Sequence, residues 1–229
     1  MRARWFHRSC PAVQIIGLAV TLAAAPASPL WAGSIVQVDQ VSSDSAVTIS
    51  QSGAENRLLL TVGSSLDALP ADRLSLSATQ AGSLNTMAIE VGAGAHDSTI
   101  NAIQDGDRHL LTISSRAASG TISTEQSGDA KTLTINVALA ASGGLINVSQ
   151  SGAGAHVGEI ALISPNQSVV LSQEGGLPGA SGGHLARVTL DGDPRVVDIR
   201  QSGTVPREIT VSTVGSCSGA CAPLVFRQD

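Results

Sequence analysis

One short motif, a glutamine followed two residues later by a glycine, recurs seven times along this 229-residue chain. The copies are Gln51-Ser-Gly53, Gln80-Ala-Gly82, Gln104-Asp-Gly106, Gln126-Ser-Gly128, Gln150-Ser-Gly152, Gln173-Glu-Gly175 and Gln201-Ser-Gly203. Consecutive glutamines are 29, 24, 22, 24, 23 and 28 residues apart. Repeats of this length belong to solenoids, propellers or arrays, so they constrain the fold more than any local feature.

Within each copy the period is two. Four residues before the glutamines stand Val47, Leu76, Ile100, Ile122, Ile146, Val169 and Val197, all aliphatic. Two residues before stand Ile49, Ala78, Ala102, Thr124, Val148, Leu171 and Ile199, with mostly Ser, Thr and Asn between the columns. Such alternation marks a strand with one buried face, and it places the glutamine on that face. The glycine gives the backbone freedom for a turn. A second alternating run follows, as in Leu58-x-Leu60-x-Val62 and Leu133-x-Ile135-x-Val137.

A two-strand unit cannot bury its apolar face alone, but stacked units can. The expected fold is therefore all-β: a parallel β-solenoid of about seven strand-turn-strand coils over residues 45–211. A propeller blade needs about 40 residues or more, longer than these spacings. The seven glutamines are expected to point inward and bond from coil to coil, because a buried amide must find partners. Amide ladders of this kind stabilise stacked β structures.

Composition removes several function classes. Only 2% of residues are aromatic, with no Tyr; Trp5, Phe6 and Trp31 lie near the N-terminus, which leaves Phe226 alone beyond it. Sites that stack bases on rings are therefore not expected. The formal net charge of −5 argues against nucleic acid as a partner.

Residues 1–32 read as a signal peptide. Arg2, Arg4 and Arg8 precede an apolar run from Val13 to Ala25, followed by small residues and prolines to Ala32. That run is shorter than the roughly 20 residues a spanning helix needs, and no later run approaches membrane length. Cleavage after Ala32 would remove three of the 13 basic and none of the 18 acidic residues, for a net charge of −8. Residues 33–44 are expected to cap the first coil and residues 212–229 to form a C-terminal tail. Cys217 and Cys221 in that tail are expected to form a disulfide in an oxidising compartment. Free thiols are the alternative, as is half a zinc site without a nearby His.

The first copy reads Ser45-x5-Gln51-x-Gly53-x2-Asn56, and the second keeps Gln80-x-Gly82-x2-Asn85. The third has Ser98-x5-Gln104-x-Gly106, with His109 at the asparagine place; Lys131 and Ala155 stand there in the fourth and fifth. This pattern resembles the curlin repeat of Gram-negative curli fibres, usually written S-x5-Q-x-G-x2-N-x-A-x5-Q. The resemblance covers residues 45–211. It implies a secreted, cell-surface amyloid subunit of a fimbrium or pilus, acting in adhesion and biofilm. The implied partners are other copies or curli-like subunits and an outer-membrane secretion apparatus. The chain departs from the family at the second glutamine, where Ser64 and Ala93 stand, and in an insertion over Gly175–Gly183. A monomeric, capped solenoid adhesin is the alternative.

No enzyme and no cofactor or metal site is expected. Asp105 with Asp107, and Asp191 with Asp193, read as turn chemistry, and two carboxylates fill few of the six to eight oxygen positions of calcium. His109 and His156 each follow a Q-x-G turn and are expected at the surface. No G-x-S-x-G, H-E-x-x-H or phosphate-binding loop occurs.

Overall fold

A computed structural model describes residues 2–5, 18–22, 33–40, 42–43, 45–63, 71–92, 94–116, 118–178, 182–217 and 221–229. Most of the expected signal peptide, and residues 179–181 of the insertion, lie outside these. The repeats build two parallel sheets that the chain visits in turn. In the first lie β1 (Arg2–Trp5), β3 (Ile35–Gln40), β6 (Arg57–Val62), β9 (Thr86–Val91), β11 (Leu110–Ser115), β13 (Thr132–Val137), β15 (Val157–Leu162), β17 (Leu185–Leu190) and β19 (Glu208–Thr213). In the second lie β2 (Leu18–Leu22), β5 (Ala46–Gln51), β8 (Ser75–Ala81), β10 (Thr99–Asp107), β12 (Thr121–Asp129), β14 (Leu145–Ser151), β16 (Ser168–Glu174), β18 (Val196–Gln201) and β20 (Leu224–Gln228). A short pair, β4 (Ser42–Ser43) with β7 (Ala71–Asp72), joins the first two linkers. The fold is a parallel β-solenoid.

Register follows the motif: Gln80, Gln104 and Gln126 are direct partners across β8, β10 and β12. The sheets run past both boundaries expected from sequence. Residues 35–40, expected as a cap, form β3 against β6. Residues 224–228, expected in a tail, form β20 against β18. Both segments carry the same alternation of apolar and polar residues, Val36-x-Val38 and Leu224-x-Phe226, and so extend the same core.

The core is the space between the sheets, filled by aliphatic columns from both. Side-chain volume is shared across it. In the first sheet one column reads Leu58, Met87, Leu111, Leu133, Gly158, Ala186 in register. The second sheet's column runs the other way in size: Ala78, Ala102, Thr124, Val148, Leu171, Ile199. A Cβ placed on Gly158 would lie 2.9 Å from Leu133 Cδ1 and 3.2 Å from Leu171 Cδ2, so the large neighbours fill the glycine's space. Close approach also explains Gly106. Its φ is +128°, and a Cβ there would collide with the Gly128 carbonyl of the next coil.

Two substitutions test this packing. Gly158→Leu should lower stability by about 1–3 kcal/mol through overpacking, and adding Leu171→Ala should restore part of the loss, as measured by urea unfolding. Thr124 is buried, and its hydroxyl oxygen has no partner. Thr124→Val should therefore leave the unfolding midpoint unchanged or raise it, because it removes an unpaired polar group.

Candidate functional site

Strand alternation turns all seven glutamines into the core, where each is buried. They form one continuous chain of hydrogen bonds. Gln51 Nε2 donates to Gln80 Oε1 at 2.8 Å, and Gln80 to Gln104 at 2.8 Å. Gln104 donates to Gln126 and Gln126 to Gln150, both at 2.9 Å. The chain continues from Gln150 to Gln173 at 2.7 Å and from Gln173 to Gln201 at 2.9 Å. An eighth rung follows, with Gln201 Nε2 donating to Gln228 Oε1 at 3.0 Å. Gln228 has no glycine after it and escapes a Q-x-G search; the Leu224-x-Phe226-x-Gln228 alternation is the signal that finds it.

The ladder has a direction. At one end Gln51 Oε1 is buried and accepts nothing. At the other, Gln228 receives a bond from Gln201. Gly53, Gly82, Gly106, Gly128, Gly152, Gly175 and Gly203 all take positive φ, between 88° and 128°, directly after the rungs.

A second buried polar column lies at the corner after these glycines, and it corrects the sequence reading. His109 and His156, expected at the surface, are 1% and 0% exposed. With Asn56, Asn85, Lys131 and His184 they occupy equivalent corners of successive coils. Asn85 Nδ2 donates to the Ala81 and Gly106 carbonyls, while its Oδ1 accepts from the His109 N–H. His109 reproduces this with a ring. Its Nδ1 accepts from the Lys131 N–H at 3.1 Å, which leaves Nε2 to carry the proton and donate to the Asp105 carbonyl. His156 does the same, accepting from the His184 N–H at 3.0 Å and donating to the Ser151 carbonyl at 2.8 Å. Lys131 Nζ donates to the carbonyls of Asp129, Gly152 and Gly154. The fifth copy's corner is thus held by His156, not Ala155, because its turn is one residue longer.

Burial disfavours the charged forms here. It lowers Lys131 from the ordinary lysine value, partly opposed by the Asp129 carboxylate. Burial, with Lys131 nearby, also lowers His109. His156 falls to about 4, through burial first and then the neighbouring Lys131 and His184, against the pull of the Ser151 carbonyl.

The aspartates expected as turn chemistry bind main-chain N–H groups: Asp107 Oδ1 accepts from Ser83, and Asp191 Oδ1 from Gly192. Cys217 and Cys221 are joined as a disulfide. Asp193 lies within 4.8 Å of both sulfurs, but with the sulfurs in the bridge the group offers a metal one carboxylate. On the outer face of the first sheet, an open groove of about 370 Å³ holds Glu159 and Arg187 between threonines. That ion pair is exposed to solvent, where such pairs contribute little. No helix among the described residues is long and apolar enough to cross a membrane.

Comparison with protein-family models, curated proteins and solved structures finds no match to this chain.

Position in the ladder sets the cost of losing a rung. Gln126→Leu removes an acceptor from Gln104 and a donor from Gln150, at about 1–3 kcal/mol for each unsatisfied group. Gln51→Leu deprives only Gln80 Oε1 and also removes an oxygen that is already unpaired, so it should cost clearly less in chemical unfolding. Equal losses would contradict the ladder.

The histidines make acid a specific stress. A histidine whose folded value lies below its unfolded value of about 6.5 takes up protons on unfolding. Its contribution is intact above pH 6.5 and is lost as pH falls toward the folded value, about 4 for His156. The unfolding midpoint should therefore drop between pH 6.5 and pH 4. His156→Asn, which keeps an acceptor and a donor, should flatten that drop.

Proposed function

We propose that this chain is an extracellular structural protein, a curli-like subunit that stacks end to end into cell-surface fibres for adhesion and biofilm matrix. It is a scaffold rather than an enzyme. The observation that carries this reading is the in-register stack with a directional amide ladder: an unpartnered acceptor at Gln51 and a last rung at Gln228. The outer edges of β19 and β20 pair with no other strand among the described residues. Edges of this kind template the addition of further strands. At the other end β1 pairs with β3, and β2 with β5. Removal of residues 1–32 on export would free those two edges for a neighbouring copy. The partners proposed are further copies or related subunits, delivered by an outer-membrane secretion apparatus.

The test uses exported protein held at physiological ionic strength and followed by thioflavin fluorescence and electron microscopy. Fibres are the expected product, and Gln228→Leu should slow their growth while barely changing the unfolding midpoint. Protein that stays monomeric for days without fibres would point to the capped solenoid adhesin.

A further inference from the structure

The last crossover of the chain is longer than the five before it, though not than the twelve-residue crossover from β6 to β8, which carries its own strand β7. The linkers leading from β9 to β10, β11 to β12, β13 to β14, β15 to β16 and β17 to β18 contain seven, five, seven, five and five residues. The linker from β19 to β20, residues 214–223, contains ten. Its disulfide spans residues 218–220, with 5.6 Å between the Cα atoms of Cys217 and Cys221. Bypassing those three residues leaves seven, the length of an ordinary linker in this solenoid. The linker also lies on the one before it: Asp191 N–H donates to the Thr213 carbonyl, and Cys217 N–H donates to Asp193 Oδ2 at 2.6 Å. The bridge thus shortens the path into β20, which runs in register with β18 and aligns Gln228 with Gln201.

The sulfurs sit beside a cation. Arg195 Nη2 lies 2.9 Å from Cys217 Sγ and 3.5 Å from Cys221 Sγ. The Arg195 main-chain N–H is tied to Gln167 Oε1 at 3.1 Å, and Gln167 is buried in the corner beneath. The backbone of Arg195 is thus fixed, and its guanidinium lies where a thiolate would form. An adjacent Arg lowers a thiol's pKa, and a more acidic leaving thiol departs faster in exchange. Arg195, Cys217 and Cys221 are all half-buried, so a small reagent can reach the bridge.

We propose that Cys217–Cys221 is a thiol–disulfide exchange site whose oxidised form locks β20 onto the solenoid and whose reduced form releases it. The co-reactant is a dithiol. Its thiolate attacks Cys221 Sγ, forming a mixed disulfide and expelling Cys217 as a thiolate that faces Arg195. The reagent's second thiol loses its proton to water and attacks the reagent sulfur of the mixed disulfide, which expels Cys221. The reagent ends as its own disulfide, oxidised by two electrons, and both cysteines take up protons as thiols. Release exposes the edge of β18 and removes the eighth rung of the ladder.

The experiment uses the full chain as a monomer, so its outcome is separate from that of the fibre reading. Dithiothreitol is the probe, with thiol release and backbone hydrogen exchange as the readouts. Reduction should speed exchange of the Leu224–Gln228 amides at least tenfold and leave β14 unchanged, and the Cys217→Ser/Cys221→Ser variant should match the reduced chain. Arg195→Gln should slow reduction by about tenfold, with Arg195→Lys close to the parent because it keeps the cation. Equal exchange of residues 224–228 in oxidised and reduced chains would overturn the lock. Equal reduction rates in the parent and Arg195→Gln would overturn the role of the guanidinium.

Discussion

Everything in this structure depends on placing an uncharged amide at the same point of successive coils, inside a core lined by aliphatic side chains. A glutamine side chain has two N–H donors and one carbonyl. Here one N–H bonds to the next rung and the oxygen accepts from the rung before. The second N–H turns across the core to the other sheet: Gln104 donates to the Thr86 carbonyl, Gln150 to Thr132 and Gln173 to Val157, each at 3.2 Å. Each of those acceptors opens a first-sheet strand one coil back. A single side chain therefore ties three coil segments together. A slip of one residue would turn the amide outward and an unmatched residue inward, so register and polar satisfaction are the same requirement.

The corner column meets a similar requirement with different chemistry. It needs one donor for the turn carbonyls and one acceptor for the main-chain N–H of the next coil. Asparagine supplies both, and a neutral imidazole supplies both with Nε2 as donor and Nδ1 as acceptor. Lysine has donors only. The chain adjusts where Lys131 stands: its Nζ donates to three carbonyls, and the His156 N–H of the next coil turns to the Gly154 carbonyl instead. The longer turn before His156 accompanies that change.

This difference explains what could be read from sequence. The strands, their inward faces and the glutamine register were legible because each position is filled by one residue type or by interchangeable aliphatics. The corner column was not. Asn56, Asn85, His109, Lys131, His156 and His184 share geometry rather than residue type. Their offset from the glutamine also drifts from five residues at His109 to six at His156 and eleven at His184, the last across the insertion. A histidine after a glycine turn looks exposed unless its hydrogen-bonding capacity is compared with asparagine's. β3 and β20 were missed for another reason, since each continues the alternation without the Q-x-G mark.

The scarcity of rings follows from the same stacking. Two sheets joined by such short corners stand about 10 Å apart, and each layer between them takes one side chain from either side. A layer can trade volume across that gap, as Gly158 does with Leu171, but a ring in one coil would need a hollow in the coils above and below as well. Aliphatic side chains meet this condition over many identical layers. Phe226 sits in β20, the last strand of its sheet, with Ile199 its partner on one side and no strand beyond it on the other among the described residues. The single aromatic beyond the N-terminal segment thus stands where the layer constraint is relaxed, and a neighbour docking there would have to accommodate it.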